Sequence, residues 1–540
     1  MKSTFFRPSG LSLLALLLLT ALIVLPNIQC NKGQTSYLDF PEHPTPEIPR
    51  DVDMNLKAEL EQQKKFDDVQ RLFDLVSWKA FMALNWPTHP DGKPKAKLSD
   101  KGMPVWSSWK ESFEVYKPGG VKPLPWGNDR DINEFIRGHN NLAADAKDKS
   151  LRVLFRNNKH NEVSDVADES DQAFGGGLWD QNGNLVMYEV LMNETEFNYV
   201  VTNTLYNVEG QIEFNKNKNV VSFPAGTYGE EAIGAIEIKV AWKVIDPDKD
   251  IASRYLTMEG YIPDPKEYTI STDPKKPACF VVFPENPTYI KATLGMVGMH
   301  IAMKTTSSPQ WIWATFEQKD NIEADPAVTG KSLSGKTVSL KPSFNDPSCE
   351  DCAQNACVEP DANGLRRSQI RRMIPIPPAK KELNAQASKR LAALNSVLQY
   401  YELIDTQWPT SPDTPPTPAG NGVASVNNKP GGNVTPVFLT NMTMETYFQI
   451  GDQPAYQMEE SYGNPKFTAA DSVTIFATES CTGCHFSAGI ATGAAVDTTK
   501  GTLVAISGPP QSADFSWLLQ TQAQFVNPRP TEPLKPAKKN

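Results

Sequence analysis

Ile236-Glu237-Ile238-Lys239-Val240-Ala241-Trp242-Lys243-Val244 alternates apolar and polar residues in the manner of a β-strand. Successive side chains of a strand point to opposite faces. Ile236, Ile238, Val240, Trp242 and Val244 therefore share one face, and Glu237, Lys239 and Lys243 share the other. Upstream, Leu178-Trp179-Asp180-Gln181-Asn182-Gly183-Asn184-Leu185-Val186 sets Asn-Gly between apolar runs, which signals a hairpin. Further strands are expected over 254–262, 278–283, 294–303 and 311–316. Short strands separated by turns build antiparallel sheets, so 177–320 is expected to be β-rich.

Helices should flank this region. Phe66, Val69, Leu72, Phe73 and Val76 recur at spacings of three and four, predicting a helix that begins near Asn55. It continues through Trp78, Phe81 and Leu84, whose large apolar side chains read as core anchors, and stops at Pro87. Leu391, Leu394, Leu398 and Tyr401 fall in register for a second helix. From 408 to 435 Pro, Gly, Asn, Ser and Thr dominate and no apolar period survives, as in a linker. Over 436–527 a helix capped at Thr440-Asn441 and running to Ile450 is expected, with a closing helix from Ala513 to Phe525. Residues 528–540 read as a proline- and lysine-rich tail. The fold class is thus α+β: a scaffold over 55–407 and a small, mainly helical part over 436–527.

The N-terminus carries an export signal. Lys2 and Arg7 precede an apolar run over 11–25, and a polar, proline-spaced tether follows over 31–54. No later stretch approaches the ~20 apolar residues that span a bilayer. Cys30, directly after the apolar run, resembles the acylated cysteine of bacterial lipoproteins, although Asn27-Ile28-Gln29 departs from the small residue that family places before it. Residues 1–30 are therefore expected to be a signal peptide or lipoprotein anchor. The protein would then be periplasmic, or anchored and facing the periplasm, and would meet the membrane only through that anchor. The net charge of −10 argues against nucleic acid as a partner.

Six of the seven cysteines lie beyond residue 30. Cys279, Cys349, Cys352 and Cys357 are an even set in an oxidising compartment, where disulfides form. Pairing the neighbours of Cys349-Glu350-Asp351-Cys352 is strained, so Cys349 or Cys352 is expected to bond Cys357 or the distant Cys279. The other two stand in Ser480-Cys481-Thr482-Gly483-Cys484-His485. Two thiols on one short turn can add to the two vinyl groups of a porphyrin, and the adjacent imidazole can then ligate the iron. A surface disulfide, or half of a zinc site with Cys349 and Cys352 as the second pair, is the plainer alternative.

At Cys481-Thr482-Gly483-Cys484-His485 the chain resembles the mono-haem c-type cytochromes. That resemblance implies one covalent haem c held by Cys481 and Cys484, with His485 as the proximal iron ligand. The chain also resembles a group of exported bacterial proteins that carry one haem motif behind a large N-terminal region. Its stretches are Ser77-Trp78-Lys79-Ala80-Phe81-Met82-Ala83-Leu84-Asn85-Trp86-Pro87, Ser308-Pro309-Gln310-Trp311-Ile312-Trp313-Ala314-Thr315-Phe316-Glu317 and Asp514-Phe515-Ser516-Trp517-Leu518-Leu519. That likeness brings no activity with it.

No Met or His follows His485, so a sixth iron ligand must come from upstream or the position is open. Met442, Met444 and Met458 are candidates near the motif, with core packing as the alternative for Met444. His300 is the only histidine in a strongly apolar strand, and regular alternation gives it the same face as Met296. It becomes the sixth-ligand candidate if the haem packs on the sheet. Gly295 and Gly298 would let something large approach that strand. His43, His89, His139 and His160 fall in loops. The expected function is single-electron transfer to or from a redox partner protein. A haem enzyme of peroxidase type or a ligand sensor, with an open iron position, is the alternative. It would draw its acid–base group from Glu445, Glu459, Glu460 or Glu479.

Overall fold

The computed structural model describes residues 37–127, 152–154, 176–272, 279–284, 287–410, 435–436, 438–449, 479–498 and 501–528. Cys30, Met458, His139, His160, Glu459, Glu460, the apolar run over 11–25 and most of the 408–435 linker lie outside the described residues.

The fold is α+β and is built on an antiparallel sheet. Its strands are β1 (Lys110–Glu111), β2 (Met187–Met192), β3 (Ile236–Val244), β4 (Thr257–Pro263), β5 (Tyr289–Met303), β6 (Ile312–Gln318) and β7 (Tyr401–Gln407). Their order is β7-β6-β5-β3-β2-β1, and β4 pairs with the first half of β5. The short stretch Arg152–Val153 joins β4 in parallel. The strand expected at Ile236–Val244 forms over those bounds, and its neighbours form within a few residues of expectation.

Both faces of the central strands are covered, as the fully buried β6 shows. Helix α1 (Met54–Gln62) is followed by α2 (Phe66–Leu84), which packs on one face. Lys64, in the left-handed region at φ 57°, breaks what the sequence read as one helix. Phe81 stacks on Phe316 of β6 at 4.1 Å, and Trp78 meets the same ring edge-on at 5.1 Å. Burying such side chains is worth roughly 1.5–3 kcal/mol each, so this cluster pins the helix to the sheet. Helix α5 (Pro378–Ala393) ends before Asn395, whose φ of 54° stops it. Leu398 therefore lies on a 3-10 turn and Tyr401 opens β7, rather than extending the helix as the spacing suggested.

The opposite face of β3, β5 and β6 receives the C-terminal residues. Helices α3 (Glu194–Thr202) and α4 (Val208–Lys216) lie there too. The described C-terminal residues are less helical than expected. Thr446–Phe448 is only a 3-10 turn, and β8 (Ala491–Asp497) and β9 (Thr502–Ser507) form a hairpin. Helix α6 is Cys481–His485, and the closing helix α7 is Trp517–Thr521 alone. Asp514 and Phe515, with φ of 47° and 71°, prevent it from starting earlier. Phe40–Asn540 forms one compact unit, so the residues after 435 share a core with the sheet. Of Met1–Asp39, residues 37–39 are described and form a turn.

Two disulfides are present, Cys279–Cys357 and Cys349–Cys352, with Cα atoms 5.6 and 5.4 Å apart. The second corrects the expectation that neighbours would not pair. A turn in which Cys352 N donates to Cys349 O brings the two Cα atoms within disulfide reach. Among the described residues no helix is long and apolar enough to cross a membrane.

Candidate functional site

The Cys-x-x-Cys-His turn is set on the sheet by several independent ties. Ser480 caps α6, its Oγ accepting from Gly483 N at 3.1 Å. Thr482 N donates to Gln407 Oε1 of β7 at 3.0 Å, and Leu439 forms a bridge to Ser480. These contacts lay α6 over the cavity face of β3, β5 and β6. The cavity encloses about 180 Å³ and is lined by Cys481, Cys484 and His485 together with Lys239, His300 and Trp313, among others.

Cys481 and Cys484 are both free, although three residues apart. Burial, with Glu445 nearby, pushes the Cys484 thiol up to about 12 and raises Cys481 as well. Both are therefore neutral thiols, unlike the thiolates of zinc sites or of reactive redox pairs. The other Cys-x-x-Cys pair is spent in the Cys349–Cys352 disulfide and cannot complete a zinc tetrad. Among the described residues no group of three or more His, Cys, Asp or Glu is placed to hold a metal ion.

His485 Nδ1 donates to the backbone oxygen of Phe515 at 2.8 Å, which leaves the Nε2 lone pair free. The left-handed Phe515 that stops α7 is also the residue whose carbonyl holds this ring. Burial drives the His485 pKa down to about 4, and His300 and Lys239 add to the shift. The imidazole is thus neutral and fit to ligate. Trp313 of β6 packs against it with ring centroids 4.5 Å apart.

His300 lies in the same cavity. Its Nε2 donates to Glu445 Oε1 at 2.9 Å, and its Nδ1 is buried without a partner. Burial works against the Glu445 charge, but His300, Lys239 and the Asn441 N–H at 2.7 Å outweigh it and hold the carboxyl below its usual range. Glu445 is therefore a carboxylate acceptor for the His300 Nε2–H, and in the neutral ring the unpartnered Nδ1 carries the lone pair. His300 does not share a face with Met296. Met296 pairs with Trp242 and Gly298 with Ala241, so the chain bulges at Val297 and the two side chains fall on opposite faces. Nor do Gly295 and Gly298 make room for a cofactor. Ile245 and Tyr255 crowd the first, and Asn441 and Thr443 the second.

Met442 and Met444 are buried in an apolar cluster with Tyr188, Val297 and Phe344 and do not line the cavity. His43 and His89 are exposed. Lys239, whose pKa burial lowers despite Glu445 and Glu237 nearby, completes the charged lining. Its side of β3 read as merely polar in sequence, and only the chain packed over it makes it part of a site.

The donor set fits a c-type haem: two neutral thiols on one turn, an adjacent anchored imidazole, and a second, partly buried imidazole with an unpartnered nitrogen. The enclosed volume is below the ~300–1,000 Å³ of ligand pockets, so it holds only part of a macrocycle. Comparison with known proteins found no matching family model, no matching curated protein and no matching solved structure.

Proposed function

We propose that this chain is an exported mono-haem c-type protein that passes single electrons to or from a redox partner protein. The observation that carries the reading is the pairing of free Cys481 and Cys484 thiols with a His485 ring tied by Nδ1 to Phe515 O. When bound, the haem supplies the one-electron couple. The chain's residues do the rest: Cys481 and Cys484 hold the macrocycle, His485 ligates through Nε2, and Trp313 keeps water from the proximal ring. His300 offers Nδ1 as sixth ligand, steadied by Glu445. Cys30 is proposed as the lipid attachment point that keeps the protein at the membrane facing the periplasm.

A second reading rests on the same dyad. If the iron position stays open, His300 and Glu445 form an acid–base pair suited to a peroxidase-type reaction or to holding a small ligand. Spectroscopy separates the two. An absorption spectrum of the reduced protein unchanged by carbon monoxide favours electron transfer with His300 bound, and His300→Ala should then make it responsive. A wild-type spectrum that already responds favours the second reading. Both depend on covalent attachment: mass spectrometry should find one haem on the wild type and none on Cys481→Ala/Cys484→Ala. A wild-type mass equal to the polypeptide plus any lipid would overturn both.

A further inference from the structure

Two neighbouring carboxyls, Glu196 fully buried and Glu237 partly so, lie beside the cavity with too few donors for both to be ionised. Glu237 of β3 lines the cavity, and Ser516 Oγ donates to its Oε2 at 2.9 Å. Its other neighbour is Glu196 of α3, which is fully buried. Neither carboxyl oxygen of Glu196 meets a hydrogen-bond donor among the described residues. The polar group in contact with it is the Glu237 carboxyl, which is itself an acceptor unless one of the two carries a proton. Two carboxyls so placed share a proton rather than ionise together.

The surroundings favour that state. Tyr116 faces the pair with a buried hydroxyl that has no partner. Asp514 adds negative charge, although Lys304 pairs with it at 2.6 Å. Lys239, two positions along β3, acts on Glu237 as a nearby cation and lines the same cavity. Burial lifts Glu237 to about 7 and raises Glu196 as well, so a proton joins or leaves the pair near neutrality.

We propose that Glu196 and Glu237 form one proton-accepting site that couples electron entry at the cavity to proton uptake. This rests on the haem reading above. One electron arrives from a one-electron donor, which is oxidised while ferric iron becomes ferrous. One proton passes from a solvent hydronium, whose O–H bond breaks to leave water, to whichever of Glu237 and Glu196 is still ionised, where a carboxyl O–H bond forms. The physical cause is Coulombic, because losing one positive charge in a dry site makes a neighbouring carboxylate harder to keep ionised.

The test uses the full chain with and without haem. In the haem-free Cys481→Ala/Cys484→Ala form, infrared spectra should show protonated-carboxyl absorption at pH 6 that weakens but persists above pH 7, and that changes in both Glu237→Gln and Glu196→Gln. In the haem-loaded protein, the midpoint potential should fall as pH rises from 6 to 8. Glu237→Gln and, independently, Glu196→Gln should flatten that dependence while keeping the haem mass. Absence of the carboxyl band overturns the shared proton. A band with the same pH slope in wild type and both variants overturns the coupling. Failure of the haem reading appears separately, as a wild-type mass without haem, and removes the coupling with it.

Discussion

Gly298 stands where segment 441–445 meets β5, and a side chain there would strike both Thr443 and Asn441. Those residues form a relay that ends at the site. Asn441 Nδ2 donates to Thr315 Oγ1 and Phe316 O, its backbone N–H to Glu445 Oε2, and Glu445 holds His300. Tyr188 OH fixes the same segment through Thr443 O at 2.7 Å. Gly298→Val should therefore cost about 1–3 kcal/mol through overpacking and should shift the ring resonances of His300. Urea unfolding and nitrogen NMR of the imidazole would check both. A variant with wild-type stability and unmoved His300 resonances would sink the relay. The Cys-x-x-Cys-His motif and the candidacy of His300 were legible because residue type and local spacing encode them. The partners Glu445 and Phe515 were not, because they sit 145 and 30 positions from their histidines and only the fold supplies them.

Elements behave the same way. Ile236–Val244 was readable because its alternation is local, yet its charged face looked like a solvent face. Charge does not reveal that another part of the chain will cover it. The bulge at Val297 was equally hidden, and it decides which side of the sheet His300 occupies. Helix packing shows a further non-local device: Lys380 of α5 reaches Asp74 of α2 at 2.6 Å and Asp405 of β7 at 3.0 Å, all buried. Burial, aided by Asp74, raises Asp405 to about 6 although Lys380 and a Thr406 N–H oppose the shift. Because that lies above the ~3.9 of an unfolded aspartate, the protonated form is favoured by folding. This contribution is complete below about pH 4 and is lost as pH rises through about 6. Lys380→Met leaves two facing carboxylates and should cost about 3–5 kcal/mol at pH 7. The cost should shrink at pH 5, where Asp405 takes up a proton. Urea unfolding at the two pH values measures the difference, and an equal cost at both would contradict the electrostatic account.

For the molecule as a whole, the sheet and the C-terminal residues are one folding unit. Trp311, just before β6, and Trp313 within it share a cluster with Phe515, Leu518 and Leu519, so the site is completed only when distant parts of the chain meet. The disulfides act on that long-range assembly unequally. Cys279–Cys357 spans 78 positions and Cys349–Cys352 only 3. In the chain-entropy account a link stabilises by restricting the unfolded chain, and the effect grows with the logarithm of the loop it closes. The long link should then contribute about 4.5 kcal/mol and the short one about 1.6 kcal/mol. The long link also ties Cys279, beside Gly177 at the edge of the first hairpin, to the loop that leads to Arg366, whose guanidinium packs over Trp179. Losing it frees two parts of the core from each other, whereas losing the short link loosens one surface turn. Cys279→Ala/Cys357→Ala should therefore lower the urea midpoint well beyond Cys349→Ala/Cys352→Ala, with the cavity around Cys481 and His485 intact in the second variant. If the short-loop variant proves the less stable, restriction of the unfolded chain is not what these bonds contribute, and local packing of the turn at 346–352 has to be.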